Sequence, residues 1–211
     1  MKHKIISFYA ENLNPVIVEL QRKVFEKLNI PLEQVKFNGS HGSAIKNYLD
    51  TNDDWDIITM FDVDCIPLNK NVVLDVLNKV DDNTIYGNAQ ISNSFPYAAP
   101  SFLSFTKNLY ETSPHKYFEP MFYPNDNNVM VEADCSEVFV KENIKRGKKM
   151  ILSYPNNVLI KQWYYSGNNT YPSFEYGNGT TFDNDTYHCF QIRLSEVQDI
   201  FINYVNNFLN E

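Results

Sequence analysis

The segment Met60-Phe61-Asp62-Val63-Asp64-Cys65-Ile66-Pro67 has the most chemical content in this chain. A mostly apolar run, Trp55 to Phe61, leads straight into two carboxylates two residues apart. In extended backbone, positions i and i+2 point the same way, so Asp62 and Asp64 are predicted to face one site. The apolar run suits a central strand covered on both faces, and ligands of open α/β sheets bind beyond the carboxyl ends of such strands. Two like charges there repel, and a divalent cation relieves the repulsion. Oxygen donors select a hard ion, Mn²⁺ or Mg²⁺, of the kind often shared with substrate phosphates. The plainer reading of Asp-x-Asp is a solvated turn after a strand.

The elements that must position these carboxylates follow from periodicity. Lys4 to Tyr9 reads as a buried first strand. Asn14-Pro15 opens a helix, since Asn caps well and Pro fits the first helical position. Val16, Leu20 and Val24 give that helix an inward stripe. Val35 to Phe37 is a second strand, and a helix over about Ala44 to Leu49 precedes the strand ending at Phe61. Asn69 is predicted to cap a helix reaching about Lys79. Thr84 to Asn88 and Ser101 to Phe105 follow as strands. Cys135 to Lys145 reads as a helix stopped by Gly147, and Met150 to Tyr154 as a strand. Ser195-Glu196-Val197-Gln198 matches a capping box opening a last helix. Its apolar face is Val197, Ile200, Phe201, Tyr204, Val205 and Phe208. The strand–helix–strand order predicts an α/β domain with a mixed, mainly parallel central sheet flanked by helices.

Composition narrows the function classes. The 211 residues suit a single domain, long enough to bury about 70% of its unfolded surface. A formal charge of −8 is a poor match for a phosphate backbone, so no nucleic-acid partner is expected. Cys65, Cys135 and Cys189 lie far apart, which argues against a disulfide framework or a zinc finger. No apolar run approaches the ~20 residues of a membrane span, and the N-terminus is too short in apolar residues for a secretory leader. A cytoplasmic location is the expectation.

Two acidic segments resemble the GT-A glycosyltransferases. Asp62-Val63-Asp64, preceded by Asp53-Asp54-Trp55-Asp56-Ile57-Ile58, is similar to their Asp-x-Asp region. Glu132-Ala133-Asp134-Cys135-Ser136-Glu137, then Arg146-Gly147-Lys148 and a strand ending at Tyr154-Pro155, is similar to their acidic helix start, Gly-Lys turn and strand. Gly39-Ser40-His41-Gly42-Ser43 resembles the small-residue helix start upstream. The resemblance covers roughly residues 4–155 in architecture and implies one domain over 1–211. Residues 1–106 would form the nucleotide-sugar and metal half, and 107–211 the acceptor half.

The resemblance also implies roles. Asp64 ligates the metal directly, while Asp62 reaches the metal, its water or the ribose. His188 is the expected third ligand, although an aromatic-lined core histidine fits it too. Ser7 and Tyr9 lie where the family binds the nucleotide base, and His41 is placed to approach the donor diphosphate. Asp134 and Glu132 are candidates for acceptor contact or general base, with a helix cap as the plainer role of Asp134. The implied reaction moves a sugar from a nucleotide-diphosphate donor, UDP-sugar by preference, to a carbohydrate or other hydroxyl acceptor. Aromatic segments 117–123 and 163–176 are read as an acceptor groove, with core packing as the plainer role, and Arg193 as a phosphate partner, with a solvent-exposed arginine as the plainer reading. The rivals are a non-catalytic nucleotide-sugar-binding module and a haloacid-dehalogenase-like phosphatase using Asp62 and Asp64.

Overall fold

The computed structural model describes residues 1–91, 95–124, 128–160, 164–166 and 174–211, with 164–166 described by backbone alone. Among these residues the chain runs β1 (His3–Ala10), α1 (Pro15–Lys27), β2 (Glu33–Phe37), α2 (His41–Thr51) and β3 (Ile57–Asp62). It continues with β4 (Cys65–Pro67), α3 (Asn71–Lys79), β5 (Thr84–Ile91), β6 (Pro96–Thr106) and α4 (Lys107–Thr112). Then come β7 (Met121–Pro124), β8 (Met130–Ala133), α5 (Glu137–Lys145), β9 (Lys149–Ser153) and β10 (Pro155–Val158). The last elements are β11 (Tyr164–Ser166), β12 (Glu175–Gly177), β13 (Thr180–Phe182), β14 (Thr186–His188) and α6 (Ser195–Asn210).

The central sheet has the order β2-β1-β3-β6-β5-β9. β1 pairs in parallel with β2 and β3, and β5 in parallel with β9, while β6 runs antiparallel between β3 and β5. This is the expected mixed, mainly parallel sheet. Its strands are apolar on both faces because helices cover both. Ile6, Phe8, Ile58 and Met60 pack toward α2, α4 and α5, while Ile5, Ile57 and Phe61 pack toward α1 and α3. A second sheet, β10-β13-β14-β4, lies at the end of β3. It joins Cys65–Pro67 to a strand more than a hundred residues later, which no local pattern announces.

Asn14 caps α1 by accepting from the Val16 N–H, as expected. The buried stripe of α1 is Ile17, Leu20, Gln21, Val24 and Phe25, not one starting at Val16, which is 46% exposed. The predicted capping box at Ser195 does not form. The first turn closes on the Leu194 carbonyl, Ser195 lies inside the helix, and Gln198 accepts from Asn14 instead. α5 starts at Glu137, later than predicted, because β8 continues to Ala133 and Ser136 takes a left-handed conformation (φ 64°). β6 is longer than predicted. Its register slips opposite Gly87 and Asn88, and Pro100 sits in the slip, where its missing N–H costs no ladder bond. Gly87 is required there, since a Cβ would lie 2.4 Å from the Phe102 carbonyl oxygen.

Candidate functional site

Asp62 ends β3, and Val63 and Asp64 form a turn into β4. The two carboxylates therefore meet across a turn, not by strand alternation as predicted. Gln21 of α1 holds that turn. Its fully buried amide donates to the Asp62 carbonyl at 2.8 Å and the Cys65 carbonyl at 3.0 Å. Its oxygen accepts from Gln34 at 3.0 Å. Sequence reading missed this residue; the available signal was an amide inside an otherwise apolar helical stripe.

His188 reaches the same place through the second sheet. β14 lies antiparallel to β4 with His188 opposite Cys65, and the Cys189 N–H donates to the Asp64 carbonyl at 3.0 Å. His188 Nε2 then lies 3.3 Å from Asp64 Oδ1, with both side chains over 90% buried. Phe190 packs on the imidazole, ring centres 4.0 Å apart. Asp62, Asp64 and His188 each bring one ligand atom within 4.8 Å of the others.

These residues fit a divalent cation. Octahedral Mg²⁺ or Mn²⁺ at about 2.1 Å puts adjacent donors about 3 Å apart and opposite donors about 4.2 Å apart, so small side-chain adjustments complete the set. Among the described residues, His188 Nδ1 is buried without a hydrogen-bond partner. Two carboxylates and an imidazole form a donor set that Mn²⁺ accepts well, imidazole being a softer ligand than Mg²⁺ prefers. Burial pushes the Asp62 carboxyl above the usual carboxylate range; the nearby His41 opposes this and the Asp64 charge adds to it.

The cluster forms one wall of a cavity of about 480 Å³. Phe8, Tyr9 and Ala10 line it from the end of β1, Leu13 from the following loop and Phe37 from the end of β2. His41, the first residue of α2, stacks on Phe37 at 5.6 Å and places Nε2 3.5 Å from Asp62. Asp134 and Gln90 form the wall contributed by the far strands, and Gln191 to Leu194 the rim. A second, more polar cavity of about 500 Å³ adjoins it and shares Ala10, Leu13, Phe37 and Arg193. Arg193 is the only Lys or Arg in either lining and makes no hydrogen bond or ion pair with the described residues. Two non-glycine residues in the left-handed region, Ser136 and Gln191 (φ 65°), flank the site. Such conformations concentrate where local geometry serves a ligand.

The structure thus brings together Tyr9, His41, Asp62, Asp64, Asp134 and His188. Ser7 does not join them. It is fully buried in mid-β1, short of the strand end, and its hydroxyl meets no ligand-accessible space. Glu132 is exposed on β8, opposite Phe122, and does not line the cavity. β8 ends at Ala133, so Asp134 lies past the strand and is free of the face that Glu132 occupies. Asp134 is more than the predicted helix cap: its side chain accepts from Gln90, Tyr97 and the Cys135 N–H. Among the described residues, the aromatic segments do not line the cavity. Phe118 is buried in the core, Tyr117 and Phe122 are exposed, and Phe174 and Tyr176 pack beneath Phe190. Of the 163–176 stretch, residues 163 and 167–173 lie outside the described residues.

No protein-family model matches the chain, and no curated protein matches it in sequence. The chain is similar to the galactosyltransferase LgtC, solved with donor and acceptor sugar analogs, at 9% identity over 98% of this chain and 95% of that one, TM-score 0.48. It is similar to the Pyrobaculum calidifontis mannosyltransferase PcManGT, solved with GDP-Man and Mn²⁺, at 15% identity and TM-score 0.44. That match covers 72% of this chain and 54% of the mannosyltransferase, so the chain spans about half its length. A putative glucose-1-phosphate thymidylyltransferase from Bacillus anthracis is similar at 10% identity over 73% and 87% of the two chains, TM-score 0.45. These are likenesses of overall arrangement. Among the described residues, no helix is long and apolar enough to cross a membrane.

Proposed function

We propose that this chain is a metal-dependent glycosyltransferase that moves a sugar from a nucleotide-diphosphate donor, a UDP-sugar first, to a hydroxyl of a carbohydrate acceptor. The observation that carries the reading is the meeting of Asp62, Asp64 and His188, from two different sheets, on one wall of a cavity whose lining includes Asp134. Asp62, Asp64 and His188 would hold Mn²⁺ or Mg²⁺. A bound ion supplies Lewis-acid stabilisation of the charge that develops on a departing diphosphate. Arg193 adds a cation to the same end of the cavity, where the lining otherwise carries the carboxylates of Asp62, Asp64 and Asp134. Tyr9, Leu13 and Phe37 offer apolar faces to a nucleobase, and His41 orients Asp62. Asp134, and not the exposed Glu132, meets the acceptor hydroxyl.

The test is release of nucleotide diphosphate from UDP-sugars and GDP-sugars, with Mn²⁺, with and without a panel of methyl glycosides. Acceptor-stimulated release is the expected result. Firm donor binding without any release would turn the reading into that of a binding module.

A further inference from the structure

Asp134 is held by an unusual arrangement of donors. Gln90 and Tyr97 are direct partners in the β5–β6 ladder, so their side chains stand on the same face. Both donate to the same oxygen: Gln90 Nε2 to Oδ2 at 3.0 Å and the Tyr97 hydroxyl to Oδ2 at 3.0 Å. The other oxygen, Oδ1, accepts from the Cys135 N–H at 2.7 Å. The backbone of Asp134 is fixed as well, its N–H donating to the Glu137 carboxylate at 2.9 Å and its carbonyl accepting from the Glu137 N–H at 3.1 Å.

A carboxylate offers about four acceptor positions, two on each oxygen. The described residues fill three of them, both on Oδ2 and one on Oδ1. We propose that Gln90 and Tyr97 are positioning residues that saturate Oδ2 and leave one lone pair of Oδ1 as the single point through which Asp134 contacts an acceptor hydroxyl. The inference rests on the transferase reading above and adds to it which oxygen acts and what aims it. Tyr97 is fully buried, and burial, followed by the nearby Asp134 charge, pushes its hydroxyl well above the ordinary tyrosine range. It therefore stays a donor at working pH. Gln90 lines the cavity itself, so the pair connects the sheet interior to the reacting space.

The tests are Tyr97→Phe, Asp134→Asn and the double variant. Tyr97→Phe keeps the ring in the core and removes only the hydroxyl. It should lower acceptor kcat/KM about tenfold or more, the usual consequence of losing a hydrogen bond to a charged group together with small misplacement, and leave donor KM unchanged. Asp134→Asn is accommodated with its amide nitrogen on the Oδ2 side, the Gln90 amide turned over and the Tyr97 hydroxyl accepting. In that background Tyr97→Phe should have little further effect. Equal fold-losses in the two backgrounds would assign Tyr97 a purely packing role and overturn the proposal. A second readout needs no turnover: hydrogen exchange at the Cys135 N–H, which reports how firmly Oδ1 is held. Tyr97→Phe should accelerate it about threefold or more relative to global stability; unchanged exchange would overturn the proposal. If the wild-type protein releases no nucleotide with any acceptor, the transferase reading fails and the exchange measurement alone decides whether Gln90 and Tyr97 aim Oδ1.

Discussion

The two ends of β3 differ in how their polar groups are satisfied. At its start, His3 Nε2 meets the Thr59 hydroxyl at 2.7 Å, and Thr59 meets Ser104 at 2.9 Å. Each group finds a neutral partner on an adjacent strand. At its end, Asp62 and Asp64 stand together with Asp134 lining the same cavity, and the buried Nδ1 of His188 has no partner among the described residues. Among the described residues the first end is thus complete and the second incomplete.

The largest effect should come from breaking the incomplete end. Asp64→Asn keeps the size of the side chain and removes one of two like charges. Mn²⁺ binding, followed by the signal of free Mn²⁺ in electron paramagnetic resonance, should weaken about 100-fold, as expected for losing a charged ligand. The metal-free variant should melt at or above the wild-type temperature, because like-charge repulsion is relieved. A lower melting temperature with unchanged Mn²⁺ affinity would make Asp64 structural.

The complete end should respond to protons instead of metal. Burial lowers the His3 pKa from 6.5 to about 4. Between those values the unfolded chain binds the proton and the folded chain does not. Stability is therefore full above pH 6.5 and declines as pH falls toward 4, by about 3 kcal/mol at about 1.4 kcal/mol per unit. Urea unfolding at pH 7 and pH 4 should show this decline, and His3→Gln should remove most of it. A pH dependence equal in the variant would place its origin elsewhere.

β3 was legible in sequence, though not its first residue, because its signal is local. An apolar run ending in Asp-x-Asp needs only a dozen residues to be seen. Asp134 was found by its acidic context, but its role was not, since Gln90 and Tyr97 are brought to it by a ladder between other strands. His188 was found only through the family resemblance, because its position depends on β14 pairing with β4. Gln21 was passed over as one more helical residue. Ser7 was misplaced because strand ends are set by pairing, and β1 continues to Ala10. Ring density alone did not distinguish a groove from a core, and Phe118, Phe174 and Tyr176 took the plainer role.

Gly42 offers a smaller break at the incomplete end. A Cβ there would lie 2.5 Å from the Phe118 carbonyl carbon and the Glu119 nitrogen, both backbone atoms. Beside it, Glu119 accepts from the Ser43 N–H at 2.5 Å and from the hydroxyls of Ser40 and Ser43. Gly42→Ala should cost about 1–3 kcal/mol in urea unfolding, the range for overpacking, and loosen His41 beside it. A cost under about 0.5 kcal/mol, as for an ordinary surface change, would show that the 113–120 segment yields freely.

The smallest effect should be at the rim. Arg193→Ala should weaken UDP binding about tenfold in Mn²⁺ while leaving uridine binding unchanged, since the guanidinium addresses phosphate and not base. Equal losses for both would move Arg193 to the base or to the rim's structure.

Isothermal titration of the wild-type protein with UDP, once in Mn²⁺ and once in EDTA, tests most directly whether the Asp62, Asp64 and His188 cluster binds nucleotide diphosphate through a divalent ion. Affinity at least tenfold higher in Mn²⁺ is the predicted result. The same affinity in both buffers, for UDP and for GDP alike, would contradict it.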